Sequence, residues 1–96
     1  MAVIDVSFIS LEKVLPKVKE LIKGSGRILA LIKPQFEVGK GKVGKGGIVK
    51  DPERHREVVE KIKWFSASIG FNVLATVQSP ITGVSGNKEF WIYLSV

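Results

Sequence analysis

Short apolar runs and longer apolar stripes alternate along the first half of the chain. Residues 2–6 and 27–32 are short runs rich in β-branched residues, which is typical of buried strands. Between them, apolar residues recur with the spacing of one helical face, at Leu11, Val14, Leu15, Val18, Leu21 and Ile22. Because Pro16 falls inside this stripe, we predict a loose turn from Ser10 and a regular helix that begins near Pro16 and ends at residues 24–26.

The second helical pattern follows a long basic loop at residues 33–50. Asp51, Pro52 and Glu53 supply an N-cap, a proline in the first turn and an acid near the helix start. Gly70 is a C-terminal stop signal. The apolar stripe between these signals consists of Val58, Val59, Ile62, Phe65 and Ile69.

Two further apolar runs, at residues 71–77 and 90–96, predict strands joined by a linker rich in proline and glycine. The order is therefore β-α-β-α-β-β. Two β-α-β units give parallel strands with right-handed crossovers, and the last two strands form a hairpin. We predict a single α/β domain over residues 1–96. Strand 27–32 is apolar on both faces, which predicts helices on both sides of the sheet.

The composition fits a small globular fold with an anionic partner. The 96 residues are 45% hydrophobic and carry a net charge of +6, which favours a polyanionic partner such as RNA. The alternative is that the charge serves only solubility. No apolar run approaches the roughly 20 residues of a membrane span, and the amino terminus lacks a secretion signal. The absence of cysteine is compatible with a reducing cytoplasm. We expect a cytoplasmic protein without membrane contact.

Ionisable residues stand at the ends of three predicted strands. Asp5 lies near the carboxyl end of the first strand, and Lys33 lies just past the carboxyl end of the second. The last strand runs antiparallel, so Glu89 at its start lies at the same edge, where open α/β sheets bind ligands. Asp5, Lys33 and Glu89 are therefore candidate catalytic residues. They form either a structural ion pair or a reaction centre in which burial and the acids tune Lys33.

The loop at residues 33–50 carries Lys40, Lys42, Lys45 and Lys50 on a glycine-rich backbone. These lysines are candidate RNA-binding residues, and the alternative is a solvated, poorly ordered loop. Residues 39–44 match G-x-G-x-x-G, but that motif must open a helix directly after a strand, and the related phosphate loop needs Ser or Thr after its lysine. One histidine without cysteine also makes a zinc site improbable. We therefore predict neither a nucleotide motif nor a metal site.

The aromatic residues and the single histidine favour structural roles. His55 precedes the apolar stripe of its helix and is expected to be a structural residue at the edge of the core. Trp64 lies off that stripe, where packing against a neighbouring element is favoured over base stacking. Trp91 and Tyr93 alternate on one face of the last strand and are predicted to be core residues.

Four ordered segments of the chain resemble one protein family. They are residues 5–10 (DVSFIS), 31–37 (LIKPQFE) and 43–52 (VGKGGIVKDP), and the stretch 79–90, which holds SPITG and GNKEF. Together they look like the haemolysin A (TlyA) type of FtsJ-like methyltransferase. That family is known for S-adenosylmethionine-dependent 2′-O-methylation of ribosomal RNA on a Rossmann-like fold, with a Lys-Asp-Lys-Glu active site. The resemblance implies that Asp5, Lys33 and Glu89 are the Asp, the second Lys and the Glu.

The chain departs from this family in what it lacks. In the family, the first active-site lysine, the glycine-rich cofactor loop and an acidic ribose-binding residue lie upstream of the segment that matches Asp5, and an RNA-binding S4-like domain lies further upstream. The resemblance therefore implies the C-terminal half of the methyltransferase domain, with four strands in the order 1-2-4-3. We expect the isolated chain to bind no S-adenosylmethionine and to be inactive.

Two hypotheses about function follow. The first is the catalytic half of an rRNA 2′-O-methyltransferase, and the alternative is a basic, non-enzymatic RNA-binding module that uses the loop at residues 33–50. RNA is the expected partner in both. Strand 2–6 would form an exposed apolar edge without the upstream part, so we also predict a homodimer through that edge.

Overall fold

A computed structural model describes residues 1–6, 9–22, 26–38, 48–80 and 86–96. The predicted helix stop at Gly24 and the predicted RNA-binding residues Lys40, Lys42 and Lys45 lie outside these ranges. All seven regular elements lie within them. They are β1 (Ala2–Ile4), α1 (Leu11–Leu21), β2 (Arg27–Ile32), α2 (Pro34–Glu37), α3 (Pro52–Ser68), β3 (Asn72–Gln78) and β4 (Phe90–Ser95).

The four strands form one sheet in the order β1-β2-β4-β3, which confirms the predicted topology. β1 pairs parallel with β2, and Ile4 lies opposite Ala30. β4 is antiparallel to both of its neighbours, and its Phe90 lies opposite Ile32 on one side and Gln78 on the other. The carboxyl ends of β1 and β2 and the start of β4 therefore share one edge of the sheet, as the crossover rule predicts.

Both long helices pack on the same face of the sheet. Buried residues from alternate strand positions, Ile28, Ala30 and Ile32, join the core residues Leu15 and Ile62 of the helices. The expected second helical layer is not found among the described elements. Apolar residues still occupy the other face, because Leu29 of β2 and Trp91 and Tyr93 of β4 lie there half-buried, so the two aromatic residues are less buried than predicted.

The predicted start of α1 at Pro16 is wrong. The helix begins at Leu11, and the Ser10 side chain caps it by accepting a hydrogen bond from Glu12 N at 3.0 Å. Pro16 removes one backbone donor from the helix interior. The helix persists because this cap and the full burial of Leu11 and Leu15 against the core offset that loss.

The sequence signals predicted α3 more accurately. Asp51 accepts a hydrogen bond from Glu53 N at 2.9 Å as the N-cap, and Pro52 occupies the first turn. After the helix, Gly70 has a φ of 100°, the left-handed conformation that favours glycine at a helix end. Within the stripe, Val58 and Ile62 are buried in the core.

Three other predictions change in the structure. β1 is two residues shorter than expected, so Asp5 follows the strand rather than lying inside it. Residues 34–37, predicted as loop, form the helical turn α2, because Pro34 has the fixed φ that suits a first helical position. Trp64 is 73% exposed rather than packed against a neighbour.

No helix within the described ranges is long and apolar enough to cross a membrane.

Candidate active site

Lys33 and Asp5 meet at the edge of the sheet where β1 and β2 end. Lys33 Nζ lies 2.5 Å from Asp5 Oδ1, and the Lys33 side chain is 12% exposed while that of Asp5 is 58% exposed. Lys33 is also the N-cap residue of α2, and Pro34 behind it favours the extended backbone that it adopts. The result is a nearly buried ammonium group held by a carboxylate that faces solvent.

Glu89 occupies the neighbouring position on the same edge. Ile32 pairs with Phe90 at the end of the β2–β4 ladder, so Lys33 directly follows this pair on one strand and Glu89 directly precedes it on the other. Glu89 is 8% exposed, and its carbonyl oxygen accepts a hydrogen bond from Ser79 N at 2.8 Å. The backbone of Glu89 is thus fixed between two strands. The three predicted catalytic residues share one edge, although their catalytic role stays a prediction.

A pair of buried side chains ties the start of β4 to α3 through Val49. His55 Nε2 donates a hydrogen bond to Val49 O at 2.7 Å, and Asn87 Oδ1 accepts one from Val49 N at 2.9 Å. The His55 ring also packs on Phe90, with 5.7 Å between the ring centroids. His55 is therefore a structural residue, as predicted. Asn87, to which the sequence reasoning gave no role, fixes the segment that carries Glu89.

Glu37 links the Lys33 segment to the start of α1. Its two carboxylate oxygens accept hydrogen bonds from Ser10 Oγ at 2.6 Å and from Leu11 N at 2.8 Å. Lys61 donates a hydrogen bond to Glu37 O at 2.8 Å. The contact between Glu37 and Ser10 connects the same two chain segments as the Lys33–Asp5 ion pair, because Ser10 follows Asp5 by five residues and Glu37 follows Lys33 by four. Glu37 thereby fixes the position of Lys33 relative to Asp5.

Burial raises the pKa of Glu37, and the hydrogen bonds from Ser10 and Leu11 oppose that rise only in part. The side chain is 6% exposed, so its charged form loses most of its hydration. The folded chain therefore binds the Glu37 proton more tightly than the unfolded chain does. As the pH rises from about 4.5 through this raised pKa, ionisation of Glu37 therefore lowers the free energy of unfolding.

We expect the Glu37→Gln variant to lose this pH dependence. Glutamine keeps an acceptor for Leu11 N but cannot ionise. The free energy of unfolding of the variant should therefore increase relative to that of the wild type as the pH rises above about 4.5. Urea unfolding between pH 4 and pH 8 measures the difference. Glu20→Gln, at an exposed position of α1, is the control that should run parallel to the wild type. A constant or shrinking difference would show that Glu37 does not bind its proton more tightly in the fold.

The remaining predicted site residues can be placed only in part. Lys50 is exposed just before α3, in a position to contact a ligand in solution. Gln35 Oε1, two residues beyond Lys33, is buried without a hydrogen-bond partner within the described part of the chain. The described ranges also hold no group of acidic, histidine or cysteine side chains that could bind a metal ion.

The described residues do not fit the requirements of a cofactor site for S-adenosylmethionine. Nucleotide-type ligands bind where a glycine-rich turn joins a strand to a helix, so that the backbone approaches the ligand. Here the turn that joins β2 to α2 is Lys33 itself, and residues 5–10 between β1 and α1 contain no glycine. The described part of this edge thus supplies charged groups, and the lack of cofactor binding by the isolated chain stays a prediction.

Comparison with known proteins shows that the chain is similar to proteins named as rRNA methyltransferases. It is 47% identical over 93 residues to YqxC of Bacillus subtilis, which is named as an rRNA methyltransferase. This match covers 97% of this chain and 33% of YqxC. It is 40% identical over 94 residues to TlyA of Mycobacterium tuberculosis, named a 16S/23S rRNA (cytidine-2′-O)-methyltransferase, covering 98% of this chain and 35% of TlyA. The chain thus spans about a third of the length of these relatives.

A solved structure also matches nearly the whole chain. A crystal structure from Lactococcus lactis, of a protein named as a hemolysin, matches with a TM-score of 0.93 and 45% identity over 97% of this chain and 44% of that one. The sequence profile of the FtsJ-like methyltransferases matches residues 1–96. The chain therefore belongs to the FtsJ-like methyltransferase family.

Proposed function

We propose that this chain, as the single domain 1–96, is the C-terminal, catalytic part of an S-adenosylmethionine-dependent methyltransferase that modifies a ribose 2′-hydroxyl of ribosomal RNA. The observation that carries the proposal is the contact between Lys33 and Asp5 at the sheet edge, next to the buried Glu89. The name of the TlyA relative supports ribose in ribosomal RNA as the target.

The three residues have complementary roles in this proposal. A ribose hydroxyl becomes a stronger nucleophile when its proton is displaced, and an oriented side chain can contribute to that step. Lys33 Nζ would contact the 2′-oxygen and help its proton to leave to solvent as that oxygen attacks the methyl group, while the bond between the methyl group and its donor sulfur breaks. Asp5 keeps the ammonium group directed toward the edge, at 2.5 Å. Glu89 provides a second carboxylate at the same edge, which helps to orient the Lys33 side chain.

The net charge of +6 supports RNA as the partner. Lys50 is exposed, and Lys40, Lys42 and Lys45 precede it in the sequence, so these lysines are proposed to contact the RNA backbone. The site of action would be the cytoplasm, where ribosomal RNA is available. The homodimer through β1 also stays a prediction. β1 has one neighbouring strand within the described sheet, and its Val3 is 64% exposed.

The test uses the chain and a chimera in which it replaces its matching segment in YqxC. Calorimetric titration with S-adenosylmethionine should give no heat with the isolated chain, because the described residues form no cofactor loop. The chimera should bind one equivalent, since YqxC contributes the other two thirds of its length. The chain alone should also transfer no methyl group to ribosomal RNA.

Stoichiometric binding of S-adenosylmethionine to the isolated chain would contradict the proposed division of roles. A folded chimera that binds the cofactor and RNA but transfers no methyl group would favour the alternative, a non-enzymatic RNA-binding module. The two hypotheses differ further in which residues control RNA affinity. For the RNA-binding module, RNA affinity should fall when Lys40, Lys42 and Lys45 are neutralised together and should be unchanged by Lys33→Ala.

A further inference from the structure

A groove with a volume of about 340 Å³ lies between the first half of α3 and the strands β3 and β4. Small-ligand sites span roughly 300–1,000 Å³, so this groove is large enough for a group the size of one nucleotide. Lys88 and Phe90 line it and flank Glu89 in the sequence. The groove therefore adjoins the edge that carries the proposed catalytic residues.

The groove carries charges of both signs. Arg56 and Lys88 are cationic, while Glu60 is anionic and Thr76 and Gln78 are neutral hydrogen-bonding residues. A simple polyanion would be repelled by Glu60. A nucleotide suits both signs, because its phosphate is an anion and the amino groups of its base can donate to a carboxylate.

Arg56 is able to exchange its present partner for a phosphate. It lies 3.3 Å from Glu53, and both side chains are more than half exposed. Exposed ion pairs of this kind contribute little to stability. A phosphate, like a carboxylate, accepts two parallel hydrogen bonds from a guanidinium group, so it can replace Glu53 as the partner of Arg56.

An exposed aromatic side chain extends the same surface. Trp64 lies four residues beyond Glu60 and eight beyond Arg56, so the three share one face of α3. Its side chain is 73% exposed, although burial of an indole ring is strongly favourable. Exposed tryptophan beside cationic residues is a feature of surfaces on which the bases of single-stranded nucleic acids stack.

We propose that the groove between α3 and β3 binds a nucleotide of single-stranded RNA that neighbours the one to be methylated. Arg56 and Lys88 contact its phosphate, Glu60 and Gln78 contact its base, and an adjacent base stacks on Trp64. This inference rests on the proposed function for the identity of the ligand as RNA. It adds a subsite distinct from the loop lysines and from the proposed catalytic residues.

The test measures the affinity of the full chain for a 12-nucleotide single-stranded RNA of mixed sequence at several salt concentrations. Replacing Arg56 and Lys88 together by Glu should weaken binding at least about tenfold and lower the salt slope by about 0.7, because one neutralised phosphate is lost. Trp64→Ala should weaken binding about fivefold or more, since stacking is lost without a change in charge. RNA should also quench the fluorescence of Trp64.

The charge-matched control replaces Lys13 and Lys17, two exposed residues of α1, by Glu. It changes the net charge equally and should reduce affinity less than about threefold. Equal losses in the two double variants, with no effect of Trp64→Ala, would overturn the groove while leaving RNA binding and the proposed methylation intact. Absence of RNA binding by the wild type would overturn the groove, whereas the proposed methylation is judged separately on the chimera.

Discussion

Lys33→Ala should lower the turnover number of the YqxC chimera on ribosomal RNA by about 10²–10⁴-fold, the usual contribution of a positioned proton-transfer group. Lys33 Nζ is nearly buried and is held by Asp5 at 2.5 Å, so alanine removes the ammonium group from this edge. Lys33→Arg should not restore the rate, because a planar guanidinium group differs from an ammonium group in shape and in proton affinity. Single-turnover transfer from labelled S-adenosylmethionine measures the effect.

This loss of turnover should occur without unfolding of the chimera and without loss of RNA binding. Asp5 is 58% exposed, so its ion pair with Lys33 contributes little to stability after solvent screening. Lys13→Ala, at an exposed site on α1, is the matched control and should retain the full rate. A Lys33→Ala chimera that methylates as fast as the wild type would show that the Lys33–Asp5 pair is only structural.

Ile62→Ala should cause the largest loss of stability, about 2–5 kcal/mol. Ile62 is fully buried between α3 and the sheet, in the same cluster as Ile28 and Ile92. Alanine leaves a cavity that the close-packed strands cannot fill. For a chain of this size, each kcal/mol lowers the melting temperature by roughly 4–8 °C, so the variant should be partly unfolded at 37 °C.

The matched control for this prediction is Leu21→Ala, which removes an apolar side chain of similar size at an 81% exposed position. It should change the free energy of unfolding by no more than about 0.5 kcal/mol. Urea unfolding of both variants provides the comparison. Equal small losses would mean that α3 does not pack against the sheet as described.

The strand directions could be predicted from the sequence because few physical rules determine them, whereas the strand order 1-2-4-3 was implied by the resemblance to the family. Parallel strands with right-handed crossovers and a final hairpin leave little choice once the element order is known. The resemblance to a family specified the rest. The same rules placed Asp5, Lys33 and Glu89 at one edge, since each stands next to a strand end whose direction was known.

The supporting contacts of the site could not be predicted, because they join residues far apart in the sequence. Glu37 contacts Ser10 and Leu11 across 27 and 26 positions, and no local spacing indicates such a pair. The start of α1 was missed for the same reason, since the proline rule is local and the contact from Glu37 is not. Motif membership was the available signal, because Glu37 and Asn87 both lie within the segments that resemble the family.

The exposure of Trp64 illustrates the opposite limit. Its position off the apolar stripe correctly indicated a side chain outside the core, but an aromatic residue on a helix surface usually finds a neighbour to pack against. Here the structure leaves it 73% exposed, one helical turn beyond Glu60, which lines the groove together with Arg56 and Lys88. Only the arrangement of α3 against β3 reveals that these residues share one surface.

The most direct measurement is the mass of the nucleosides released from ribosomal RNA after incubation with the chimera and S-adenosylmethionine. We expect a methyl group on the ribose 2′-oxygen that is present with the wild-type chimera and lost with Lys33→Ala. A methyl group on a base, or no methylated nucleoside from a folded chimera that binds the cofactor, would contradict the assignment of Asp5, Lys33 and Glu89 to ribose methylation.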